Sequence, residues 1–136
     1  MARISPSTPA WACRILKREF PRFCPEVAWR RRKSPYSSGH AGRSRIVITE
    51  GTDPVGAKLT LLHEIAHAKG VGRNHDVAFY EEAWRLYRRY RMPILACLRQ
   101  EMDYHPRHCR EAYWRTAPKG ARLTSEAVRL LVHGRR

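Results

Sequence analysis

Apolar residues recur along this chain in two rhythms, and the places where the rhythm changes mark its elements. The segment "RIVITEG" (45–51) has β-branched residues at four consecutive positions, Ile46 to Thr49, and closes on Gly51, the densest strand signal in the chain. In "VAWRRRK" (27–33), Val27, Trp29 and Arg31 alternate with Ala28, Arg30 and Arg32, which predicts a strand with one half-buried face. The intervening "SPYSSGHAGRS" (34–44) reads as a loop by composition, so the two strands are expected to pair antiparallel across it. The other apolar positions follow helical spacing. Thr8 as N-cap with Pro9 at the first helical position opens a helix through about Phe20, stopped by Pro21, with Trp11, Ile15 and Leu16 inward. Asp53 and Pro54 open a second helix that runs to Gly70, with Leu59, Leu62, Ile65 and Ala66 on its apolar spacing. A third begins near Asp76 and carries the stripe Phe79, Ala83, Leu86 and Tyr90, with Pro93 at its end. Two or three short helical segments follow, punctuated by Pro106, Pro118 and Gly120. Two strands among several helices predict a small α+β domain, and 136 residues suit one domain with its own core.

Composition narrows the class. Hydrophobic residues make up 43% of the chain, yet no run approaches the roughly 20 apolar residues of a membrane span. The N-terminal "MARISPSTPAWACRI" has no apolar stretch of the secretory kind, so a cytoplasmic protein is expected. Cys13, Cys24, Cys97 and Cys109 are spaced too widely for a CxxC metal knuckle and read as reduced thiols. Cys97, His105, His108 and Cys109 stand near one another in sequence, but their spacing fits no common zinc site.

Candidate chemistry concentrates in "LLHEIAHAKGVGRNH" (61–75). On a helix, residues four apart differ by about 40° in direction, so His63 and His67 project together and can reach one ion. Glu64, one position on, lies near the same face and can touch a water beside that ion without being a ligand, the placement of a general base. A catalytic zinc needs a third protein ligand and an open position. Gly70 and Gly72 can stop the helix and turn the chain, which makes His75 the natural third ligand. Glu82, on the flank of the inward stripe of the next helix, is the rival, as ligand or as a group orienting a ligand histidine. Glu81 is expected to pair with Arg85 on the surface.

The stretches "SSGHAGRSRIVITEGTD", "LTLLHEIAHAKG" and "NHDVAFYEEAWRLYRRY" together resemble the core of the SprT-like metallopeptidases and their YgjP-type relatives, over about residues 36–90. The resemblance implies a zincin fold with an edge strand before the HExxH helix, one Zn2+ on His63, His67 and His75, and Glu64 as catalytic base. It also implies proteolysis, in some relatives of proteins attached to DNA. Metzincin membership is not expected, because the third histidine of that pattern would fall at Arg73. On this reading, Ile46–Thr49 would offer a free edge to an extended protein or peptide substrate. Tyr80, Tyr87 and His40 are the candidates for stabilising the oxyanion.

Charge supplies a second reading. The 27 Lys and Arg against 12 Asp and Glu give a net +15, an excess that attracts polyanions through counterion release. The runs "WRRRK" and "RLYRRYR" interleave arginine with Trp29, Tyr87 and Tyr90, and aromatics beside arginine can stack bases. The chain could therefore be a basic nucleic-acid-binding module in which zinc is structural or absent.

Overall fold

The computed structural model describes residues 3–70, 72, 74–101 and 106–133. They form six helices and one three-stranded sheet, the α+β class that the patterning predicts. The chain divides into two compact units, Met1–Gly70 and Val71–Arg136.

In the first unit, α1 (Ala10–Glu19) starts one position later than the Thr8 reading, with Pro9 at the N-cap. The reason is local. The Thr8 amide donates to the Ser5 carbonyl and the Thr8 hydroxyl lies 3.2 Å from Ser5 Oγ, so the threonine closes the preceding turn. Helix α1 buries Ala12, Ile15 and Leu16, while Trp11 is half-buried and meets Trp29 edge to face.

Three strands follow: β1 (Glu26–Arg31), β2 (Ser38–Ala41) and β3 (Arg45–Glu50), in the spatial order β1-β3-β2. This corrects the expected antiparallel pair. Strand β3 runs parallel to β1, with Val27 opposite Ile46, and antiparallel to β2, with Gly39 opposite Ile48. The segment read as a loop contains β2, whose Ser-Gly-His-Ala sequence has no β-branched residue to announce it. Strand β3 is central, with Ile46, Val47 and Ile48 all buried, as a strand covered on both faces requires. The outer side of β1 is covered by the N-terminal segment. Ser5 N donates to the Val27 carbonyl, Val27 N to the Arg3 carbonyl, and Trp29 N to Ser5 Oγ. The edge left facing outward is that of β2, so Ile46–Thr49 does not offer the free edge expected of it.

Helix α2 (Pro54–Ala68) begins where predicted: the Asp53 side chain accepts from Val55 N, and Pro54 occupies the first turn. It ends on Gly70, whose φ of 67° takes the left-handed terminating position while its amide donates to the His67 carbonyl. Leu61, Leu62 and Ile65 are fully buried, and the helix packs on β2 and β3. Near its end, Lys69 Nζ donates at 2.8 Å to Glu19, a carboxylate with no side-chain exposure.

The second unit holds α3 (Val77–Arg89), α4 (Ile94–Glu101), α5 (Pro106–Thr116) and α6 (Ser125–His133). Asp76 caps α3 by accepting from Phe79 N at 2.9 Å. The predicted stripe is present at Phe79, Ala83 and Leu86, but the buried face also includes Tyr80, Trp84 and Tyr87, while Tyr90 is only half-buried. Helix α3 packs against α5, where Trp84 Nε1 donates to the Cys109 carbonyl and the Arg88 guanidinium covers the rings of Trp84 and Tyr113. Tyr87 donates its hydroxyl to Glu101. Burial pushes the Tyr87 phenol and the thiols of Cys97 and Cys109 well above their ordinary range, and the nearby Glu101 charge adds to each shift. Among the described residues, no helix is long and apolar enough to cross a membrane.

Candidate metal centre

His63 and His67 lie one turn apart on α2, with ring centroids 4.9 Å apart, so the two imidazoles point the same way as their spacing requires. His63 is buried and His67 half-buried. Leu61, Leu62, Ile65 and Ala66 around them on α2 are buried, as are the polar Thr60 and Glu64, so the histidines are polar groups set into a largely buried helix, where they need partners.

His75 arrives by a different route. Gly72 packs directly on the start of α3: a Cβ there would overlap the Asp76 carboxylate and sit 2.5 Å from Phe79 N. Asn74 and His75 then both take left-handed backbone, with φ of 41° and 59°, a conformation rare for non-glycine residues and costing about 1–3 kcal/mol each. Three contacts hold His75 there. Its ring stands edge to face on Phe79 at 5.0 Å and lies 6.0 Å from the Tyr80 ring. Its carbonyl is 3.1 Å from His108 Nδ1, and because a carbonyl only accepts, that nitrogen carries the proton. Ligand-capable atoms of His63, His67 and His75 all lie within 4.8 Å of one another, and these three residues could hold a metal ion.

No known protein family, curated protein or solved structure matches this chain. The site's chemistry therefore rests on its own geometry. A tetrahedral ion with nitrogen ligands at about 2.0–2.1 Å spaces those nitrogens about 3.4 Å apart. Three imidazole nitrogens grouped within 4.8 Å of one another are a donor set of the kind such an ion takes. Three imidazoles favour zinc, copper, nickel or iron over the oxygen-seeking magnesium and calcium.

Glu64 is 6% exposed and does not belong to the ligand group. It lies directly under β2: a Cβ built on Gly39 would come 3.0 Å from Glu64 Cγ, 2.9 Å from Ile48 Cδ1 and 2.8 Å from the Val47 carbonyl oxygen. Only glycine fits between the strand and the carboxylate. The sequence reading missed this residue; its sole signal was a glycine in a polar stretch shortly before a strand.

Other expected site residues fall elsewhere. The carboxylate of Glu82 is held by Arg85 Nε at 3.0 and 3.2 Å, so Glu82, and not Glu81, makes the pair with Arg85. Glu82 is outside the ligand group. Tyr87 is committed to Glu101 and is no oxyanion donor, which leaves Tyr80 beside His75 and the exposed His40 on β2. Of the sequence cluster near Cys97, His105 lies outside the described residues, and His108 holds His75 instead. Trp29 and Tyr87, expected as base-stacking aromatics, are 3% and 1% exposed. The Trp29 indole donates to Glu50 at 2.8 Å, because the period-2 alternation that makes β1 a strand also turns Trp29 inward.

Proposed function

We propose that this chain is a zinc-dependent peptidase of the HExxH type, as its likeness to the SprT-like core implies, with His63, His67 and His75 holding one Zn2+ and Glu64 as general base. The observation that carries the reading is the grouping of the three imidazoles, with the buried Glu64 next to His63 in sequence and packed under Gly39 of β2. Bound zinc would supply the Lewis acidity that acidifies water and polarises a scissile carbonyl. The chain's own part is positional. His63 and His67 are fixed by α2, and His75 by the strained turn that His108 holds. Glu64, screened from bulk solvent beneath β2, takes a proton from the attacking water and delivers it to the leaving amine. The substrate is a protein or peptide in extended form, added as a further strand to the outward edge of β2, which replaces the β3 edge expected from sequence. Proteins associated with nucleic acid are natural substrates for a chain with a net charge of +15. Four cysteines present as free thiols suit a reducing compartment such as the cytoplasm.

The test is Glu64→Gln in the purified chain. It should keep one zinc per chain and lose about 100- to 10,000-fold in peptide cleavage, the usual contribution of a positioned acid–base group. Cleavage at the parental rate would remove Glu64 from its role, and a parental protein that takes up no zinc would remove the peptidase reading altogether.

A further inference from the structure

The basic surface has a definite focus once the inward aromatics are set aside. Tyr36 is 76% exposed, the most exposed large apolar residue described, and hydrogen bonds fix the backbone that carries it. Tyr36 N donates to Ser34 Oγ, its carbonyl accepts from Arg32 Nε at 2.7 Å, and Gly51 N donates to Ser37 Oγ at 2.8 Å. The amides of Thr52 and Asp53 donate to the carbonyls of Ser34 and Pro35. The turn lies so close on the following backbone that a Cβ on Gly51 would come 2.5 Å from the Tyr36 carbonyl oxygen. An aromatic carried on a backbone that is already fixed loses no further main-chain freedom when something stacks on it.

Its neighbours are cationic. Arg30, Arg31, Arg32 and Lys33 lead directly into the turn and are all exposed. Of the acidic groups nearby, Glu50 is engaged by Arg31 at 3.3 Å and by the Trp29 indole, and Asp53 by the cap of α2 at 3.1 Å. An exposed ring that follows four exposed cations along the chain matches a phosphate backbone with accessible bases. Bases inside a duplex are already stacked on each other, so the ring selects unpaired ones.

We propose that the 30–36 segment is a docking surface for a single-stranded polynucleotide, with Tyr36 stacking a base and Arg30, Arg32 and Lys33 meeting phosphates. The surface shares no residue with the histidine group and does not rest on the peptidase reading. Fluorescence polarisation of the full chain with a labelled oligothymidylate, at several salt concentrations, tests it. Tyr36→Ala should weaken binding about 10-fold or more with an unchanged salt slope, since charge is untouched. Tyr36→Phe, which keeps the ring face, should bind like the parent. Arg30→Gln with Lys33→Gln should weaken binding and lower the slope of log affinity against log salt by about 0.7 for each phosphate left without its cation. A duplex of the same length should bind less tightly than the single strand, and Glu64→Gln should change nothing. The proposal is overturned if Tyr36→Ala binds like the parent, if duplex binds as tightly as single strand, or if polyglutamate displaces the oligonucleotide at equal charge concentration. The last outcome would mark an acidic protein as the occupant.

Discussion

Gly39→Ala is the most demanding test of the way the fold holds its candidate base. The added methyl would meet three atoms at or inside 3.0 Å: the Val47 carbonyl oxygen, Ile48 Cδ1 and Glu64 Cγ. They can yield unequally. The Val47 carbonyl belongs to the central strand, so moving it disturbs the pairing of β3 with both neighbours. Ile48 Cδ1 is the end of a side chain that can rotate, though within a fully buried position. The remaining relief pushes the Glu64 side chain away or lifts β2 off α2. Overpacking of this kind costs about 1–3 kcal/mol of stability, and misplacing a reacting group by about 1 Å costs about 100-fold in rate. The expected outcome is a fall in kcat of about 100-fold, with a lower melting temperature and an undiminished zinc content, because His63 and His67 are not among the atoms the methyl meets. Gly42→Ala, on the same hairpin but with nothing within 4 Å of the added carbon, should match the parent in every measure. Combining Gly39→Ala with Glu64→Gln separates the causes: if the methyl acts through Glu64, the double variant is no slower than Glu64→Gln alone. Parental stability and kcat in Gly39→Ala would refute the close approach, and additive losses in the double variant would shift the effect from the carboxylate to the substrate-binding edge of β2.

Two further outcomes follow from the second unit. Gly72→Ala places a methyl against the Asp76 cap and Phe79 N, so it should cost about 0.5–2 kcal/mol in urea unfolding by breaking the cap. It should also weaken zinc in competition with a chromophoric chelator by displacing His75, and parental zinc affinity would break the link between this turn and the third ligand. Alkaline pH should destabilise the chain, because Cys97, Cys109 and Tyr87 have folded pKa values raised by burial. Stability is fully present below the unfolded thiol value of about 8.5 and falls as pH rises past it and then past about 10 for the phenol. A urea midpoint that stays flat from neutral to strongly alkaline pH would contradict the burial of these groups.

The parts of this site that could be read from sequence are those whose geometry is settled within a turn of chain. His63 and His67 face together because helical periodicity makes them do so, and the helix that carries them is bounded by Asp53, Pro54 and Gly70, each a local signal with a local cause. The parts that could not be read depend on partners far away in sequence. Strand β2 has no propensity of its own: it is a strand because β3 supplies hydrogen bonds and because Gly39 lets it lie on Glu64. Its insertion beside β3 also moves that strand from the edge to the centre. The clue was present in Ile46-Val47-Ile48, an unbroken apolar run of the kind a strand covered on both faces requires. Trp29, read as a stacking aromatic, is turned inward by the alternation along β1, while hydrogen bonds from residues 51–53 to Ser34, Pro35 and Ser37 fix the turn that carries the exposed Tyr36.

His75 stands between these cases, and its backbone says most about the purpose of the turn. A helix start needs a cap, and Asp76 provides one without help from its predecessors. Asn74 and His75 are nevertheless both left-handed, at a cost of about 1–3 kcal/mol each. The contacts that hold this conformation act on His75 in particular: Phe79 and Tyr80 flank its ring, and His108, 33 residues further along the chain, grips its carbonyl. Capping α3 does not require that conformation, which Asn and His enter more readily than most residues; here it sets the direction in which the His75 imidazole leaves the chain. The conformation of the turn thus adds a second observation, beside the proximity of three rings, in support of proposing His75 as the third ligand.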